Sequence, residues 1–73
     1  MRIEGTRLPG VGVRYDLATE RGDLLAVIVA DRGGGELAVY DRADPDACRV
    51  AVSLTDGDAR RLRDLIDALA RDG

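Results

Sequence analysis

Residues 24–30 read Leu-Leu-Ala-Val-Ile-Val-Ala, an unbroken apolar run, whereas the segments around it alternate apolar and polar positions. Seven residues are short for a helix, and Val27, Ile28 and Val29 are β-branched. The run therefore predicts a central strand with both faces away from water. Alternation over 11–19 sets Val11, Val13, Tyr15 and Leu17 against Gly12, Arg14, Asp16 and Ala18, which predicts a half-buried strand. Weaker alternation over 2–8 predicts a first strand at a sheet edge, and 36–41 and 49–54 add two more. In the last, Cys48, Val50, Val52 and Leu54 share one side against Arg49, Ala51 and Ser53.

The breaks between these segments are short. Pro9-Gly10, Gly22 and Gly33-Gly34-Gly35 mark reversals, the three glycines reading as a mobile hairpin tip, and 41–47 is a loop around Pro45. Connections of this length favour an antiparallel meander, because parallel crossovers need a dozen or more residues. Thr55 then stands as a helix N-cap, with its hydroxyl placed for the amide of Asp58 and with Asp56 and Asp58 at the positive end of the dipole. Ala59, Leu62, Ile66 and Leu69, widened by Leu65 and Ala70, form an apolar stripe over a helix at 56–72. Its outer face offers Arg60–Asp64, Arg63–Asp67 and Asp67–Arg71 as i,i+4 pairs. The predicted class is α+β but β-dominated: about five strands in a mostly antiparallel sheet or small open barrel, followed by one C-terminal helix, all in a single domain.

Strand parity sorts the side chains into two sets. The bulkier set includes Val13, Tyr15, Leu25, Val27, Val29, Leu37, Val39, Val50, Val52 and Leu54, and the helix stripe is expected to cover it unless the sheet curls on itself. The opposite set, Leu24, Ala26, Ile28, Ala38, Tyr40 and Ala51, is smaller but still apolar. Either curling hides it within one chain, or it meets a second copy across a two-fold axis.

Size sharpens that choice. A core in 73 residues supplies only about 3–5 kcal/mol, and domains this short usually need a staple or a partner. Cys48 is the only cysteine and there is no histidine, so neither a disulfide nor a tetrahedral zinc site is available. A homodimer is therefore expected, and a lone cysteine fits a reducing compartment. The net charge of −3 with interspersed signs, and Tyr15 and Tyr40 as the only aromatics, speak against nucleic acid. No run approaches the roughly 18–20 apolar residues of a bilayer span and the start lacks a signal-peptide core, so no direct membrane insertion is expected.

No motif assembles chemistry. Gly10-Val11-Gly12 opens like a dinucleotide fingerprint, but Tyr15 stands where its third glycine belongs and a strand follows. Gly33-Gly34-Gly35 lacks the Lys of a P-loop, and Glu36 would repel phosphate. Asp41, Asp44 and Asp46 lack the EF-hand pattern and suit turn chemistry. Cys48 and Ser53 have no base to activate them, and Cys48 reads as a small buried hydrophobe. No enzyme activity and no cofactor are expected.

Several of these stretches, in order, resemble one family. Leu8-Pro9-Gly10-Val11-Gly12-Val13-Arg14-Tyr15, Glu36-Leu37-Ala38-Val39-Tyr40-Asp41, Asp44-Pro45-Asp46-Ala47-Cys48 and Leu54-Thr55 are similar to the N-terminal domain of KhtT-type regulatory subunits of bacterial cation:proton antiporters. The resemblance implies a cytoplasmic homodimer, peripheral to the inner face of the cell membrane, that docks to a K⁺(Na⁺)/H⁺ antiporter and regulates it. It also implies that family members continue into an RCK-type (TrkA-C) domain carrying a cyclic di-AMP site. These 73 residues lack that domain and are expected to be the N-terminal domain alone. The expected contacts are Ala26, Ile28, Ala38 and Tyr40 at a dimer face, with Leu8, Val11 and Val13 at a partner edge. The rival reading is a small ligand- or peptide-binding barrel with Tyr15 or Tyr40 at its mouth.

Overall fold

A computed structural model describes residues 2–72. Five strands, β1 (Arg2–Leu8), β2 (Gly12–Ala18), β3 (Leu24–Ala30), β4 (Gly35–Tyr40) and β5 (Cys48–Leu54), precede one helix, α1 (Asp56–Asp72). Each strand pairs antiparallel with its sequence neighbour, in the order β1-β2-β3-β4-β5. The sheet is open, with β1 and β5 as its edges.

The turns explain this order. Pro9 and Gly10 occupy the middle of a turn closed by the Val11 amide donating to Leu8 carbonyl at 3.0 Å. Gly10 there has φ +76°, the value such a turn demands after proline. Between β2 and β3 the Thr19 hydroxyl accepts from the Asp23 amide at 3.0 Å. Between β4 and β5 the Asp41 and Asp44 carboxylates accept from the amides of Ala43 and Asp46, so both aspartates serve the loop's own backbone.

The β3–β4 tip is held by its surroundings, and its glycines answer to that. The Gly34 amide donates to Asp56 Oδ1 at 2.5 Å, which ties the tip to the first turn of α1. A Cβ on Gly34 would lie 2.6 Å from the Leu54 carbonyl oxygen, and one on Gly33 would lie 2.8 Å from Asp56 Oδ2. The glycine run, expected to be slack, thus serves close approach between hairpin and helix start. The helix begins with a reciprocal cap: the Asp58 amide donates to Thr55 Oγ1 at 3.1 Å and the Thr55 amide to Asp58 Oδ2 at 3.0 Å.

The register confirms the two side-chain sets. Tyr15, Val27, Leu37 and Val52 lie in one cross-strand row, and Asp16, Ala26, Ala38 and Ala51 in the row beside it on the other face. How the faces are covered differs from expectation. The only buried hydrophobic side chains among the described residues are Ala26 and Ala38, both on the smaller face. The bulkier face is open: Ile3, Val29, Val50 and Val52 are all about half exposed. The helix does not cover it, because α1 meets the sheet mainly at β5, and Leu65 and Leu69 are 69% and 73% exposed. A single residue, Thr55, joins β5 to α1, which leaves no length for the helix to fold back.

Two smaller expectations are also corrected. Val39 faces Val50 while Tyr40 faces Cys48, so Arg49 is a bulge that breaks parity. Cys48 therefore leaves the valine row and is exposed at the sheet edge rather than buried. On α1 the ion pair formed among the described residues is Arg63–Asp64 at 3.2 Å, in place of the i,i+4 pairs; both groups are exposed, so it adds little stability.

Gly10→Ala meets no neighbour and should cost only the left-handed backbone term, about 1–2 kcal/mol. Gly35→Ala, whose Cβ would overlap the Ile28 carbonyl oxygen, should cost about 3 kcal/mol or more. Urea midpoints of the two variants against the parent chain check the difference.

Candidate functional site

The smaller face carries the most organised side-chain cluster. Arg14 on β2 lies opposite Ile28, and Tyr40 on β4 lies opposite Leu24. Ala26 sits between Ile28 and Leu24 on the same face of β3, so the line from Arg14 to Tyr40 crosses the sheet above it. Arg14 Nη2 donates to Tyr40 Oη at 3.0 Å, and its Cζ stands 5.3 Å from the centre of the Tyr40 ring. The guanidinium thus combines a hydrogen bond with a cation–π contact. Arg14 Nε also donates to Asp16 Oδ1 at 3.1 Å, a neighbour two residues along the same strand face.

This strap explains why Ala26 is only 1% exposed and Ala38 5%. The aliphatic stem of Arg14 and the ring of Tyr40 roof the alanines while their polar ends reach water. A small residue is required below, because a longer one would lift the strap. The bond to Tyr40 is also the largest cause that raises the Arg14 pKa; partial burial pulls the other way and Asp16 adds to the rise. A raised value for a cation means that its contribution to folding is complete below its unfolded pKa and fades only in strong alkali. Arg14 is therefore a fixed charge at every physiological pH.

Beside the strap a groove of about 380 Å³ opens toward one end of the sheet. Arg2, Glu4, Arg14, Asp16, Leu24 and Tyr40 line it, with Pro45 from the β4–β5 loop at the rim. Its walls carry both signs of charge around an apolar floor. That suits contact with a polar surface or segment, and no nucleophile–base pair stands in it. Among the described residues no three His, Cys, Asp or Glu side chains converge as metal ligands would.

The expected contact residues are divided by this arrangement. Ala26 and Ala38 are the roofed floor, almost wholly covered within the single chain. Ile28 and Tyr40 are half-buried on the same face, Tyr40 as part of the strap. Leu8 and Val13 are half-buried and Val11 is 51% exposed at the β1–β2 corner, where the Asp31 amide donates to the Val11 carbonyl at 2.8 Å. Tyr15, the other candidate aromatic, lies on the opposite face against Gly5 and takes no part in the groove. Arg14 and Asp16 were not singled out from the sequence. Their i,i+2 spacing, which puts both on one strand face, was the available signal.

Comparison with known proteins bears on what such a surface serves. Residues 1–70 match the family described as "K(+)/H(+) antiporter subunit KhtT, N-terminal domain". The chain is 29% identical over 70 residues to a protein of Bacillus subtilis (strain 168) named "Uncharacterized protein YrvC", covering 96% of this chain and 42% of that protein. It is 28% identical over 69 residues to the "K(+)/H(+) antiporter subunit KhtT" of the same organism, covering 94% of this chain and 42% of that one. The chain thus spans well under half the length of these relatives.

The strap itself can be tested by a double-mutant cycle. Arg14→Met and Tyr40→Leu should each destabilise the sheet, and the pair should fall short of additivity by about 0.5–1.5 kcal/mol. The coupling, read from urea unfolding, should be constant between pH 5 and 9.

Proposed function

The chain belongs to the family of the N-terminal domain of the K(+)/H(+) antiporter subunit KhtT, and from that premise we propose that it is a non-enzymatic docking and dimerisation module of an antiporter regulator. In this reading it works at the cytoplasmic face of the membrane, self-associates, and engages a K⁺(Na⁺)/H⁺ antiporter. It biases the transporter between conformations by binding one of them better, which is the only way that a docked protein shifts such an equilibrium. No helix among the described residues is long and apolar enough to cross a membrane, so contact with the bilayer would run through the transporter.

The observation that carries the reading is the amount of apolar side chain left in water on an open sheet and a helix that do not cover each other. Ala26 and Ala38 are the whole buried hydrophobic set among the described residues, while nine large hydrophobics are exposed. A chain built this way is made to meet other surfaces. The transporter contact is assigned to the strap face: Ile28 and Tyr40 beside the groove, over the Ala26 and Ala38 floor, with the Leu8–Val13 corner as its edge. Leu8, opposite Gly12 on this face, and Val11, exposed at the corner, supply apolar contact there, while Val13 belongs to the opposite face.

The groove beside Tyr40 also favours a second reading, a module that binds a small ligand or a peptide segment with no part in transport. The two differ in what the chain retains. A tagged chain mixed with detergent-solubilised membranes containing a cation:proton antiporter of the same genome should retain the transporter. Ile28→Asp and Tyr40→Ala, checked for intact folding by circular dichroism, should each lower retention at least tenfold. Undiminished retention by both folded variants would remove the strap face from the contact, and no retention by the parent chain would leave the ligand-binding reading.

A further inference from the structure

Two apolar surfaces of this chain have no cover, and they differ in shape. One is the bulkier sheet face, where Val29, Val50 and Val52 are 50%, 54% and 47% exposed. The other is the helix stripe, where Leu65, Ile66 and Leu69 are 69%, 53% and 73% exposed. In most sheet-plus-helix domains the second would cover the first. Here that closure is blocked by the corner between them: one connecting residue, a reciprocal cap and the Asp56–Gly34 bond fix the direction in which α1 leaves β5.

We infer that these two surfaces cover each other between copies: α1 of one chain lies on the bulkier sheet face of a second, and the second returns its helix to the first. A two-fold axis makes both contacts at once, because each copy offers one helix stripe and one open face. This deepens the self-association in the proposed function and rests on that part of it, while leaving the strap face free for a transporter.

Size and shape support a second copy as the occupant. The exposed large side chains of the two surfaces, with Ile3 and Tyr15 on the same sheet face, together offer an area comparable to the ~800 Å² that each partner contributes to a standard interface. The sheet face also offers a receptacle. A groove of about 240 Å³, lined by Val27, Val29, Leu54 and Ala59 with Asp56 and Glu36 at its rim, opens beside the corner.

The test uses the 73-residue chain. By light scattering after size exclusion at about 50 μM, the parent should have twice its 7.8 kDa chain mass. Leu65→Asp/Leu69→Asp should be monomeric with unchanged circular dichroism, since neither side chain is needed by the single fold. Val52→Cys and Leu69→Cys, each in a Cys48→Ser background, then identify the contact: mixed chains should form a disulfide under mild oxidant at least tenfold faster than either variant alone. A monomeric parent overturns the inference and the self-association together, leaving the stripe to a different partner. A dimer that survives Leu65→Asp/Leu69→Asp, or in which Leu69→Cys crosslinks fastest to itself, overturns the exchange and leaves the dimer standing. Retention of an antiporter by the monomeric variant keeps the docking proposal apart from either result.

Discussion

The corner where β5 becomes α1 decides what the molecule is able to bury. Thr55 alone connects the two elements, and its hydroxyl and amide are both engaged by Asp58. Asp56 reaches sideways to the backbone of the β3–β4 tip, so strand end, helix start and hairpin are locked together. The carboxylates of Asp56 and Asp58 also sit where the helix dipole favours negative charge. The joint is thus held at several points at once. The helix departs in one direction, and its apolar stripe goes with it.

Against that fixed geometry the two sheet faces are finished by different chemistry. The strap face is closed from within one chain, by long side chains lying over short ones: Arg14 and Tyr40 above Ala26 and Ala38. Such a roof is polar outside and needs no second layer of structure. On the valine face the long polar side chain in register, Arg7 opposite Val13, is bonded to Asp31, and the face stays open. The edges differ as well. β1 carries Arg2, Glu4 and Arg7, and Arg7 is held by a two-pronged bond to Asp31 at 2.9 and 2.7 Å. Charged side chains of this kind discourage edge-to-edge pairing. β5 carries only Arg49, at the bulge.

Much of this architecture was legible in the sequence because it is written in short-range patterns. The period of two gave the strands, the run at 24–30 the centre of the sheet, and Thr55 with Asp58 the helix start. Parity also sorted the side chains correctly onto two faces. It could not say which face would be covered, because cover depends on where a helix points and how far an arginine reaches. Alternation places Arg14 only on the face opposite Val13 and Tyr15, and no short-range pattern shows that its stem and its bond to Tyr40 make it the lid of the small core. The stripe on α1 looked like the missing layer of its own sheet, and only the one-residue joint rules that out. Cys48 was misplaced by the bulge at Arg49, which shifts parity without any glycine or proline to announce it. Apolar parity also selects Ala26 and Ala38 as contact residues, and it carries no sign of the strap that covers them.

The unbroken succession of neighbouring strands has a kinetic consequence. Each strand finds its pairing partner across a connection of a few residues, so no long loop has to close before hydrogen bonds begin to repay its entropy. Topologies dominated by such local closures fold quickly for β-rich proteins. A nascent chain of this design could zip one hairpin at a time as it emerges from the ribosome, with the helix added last.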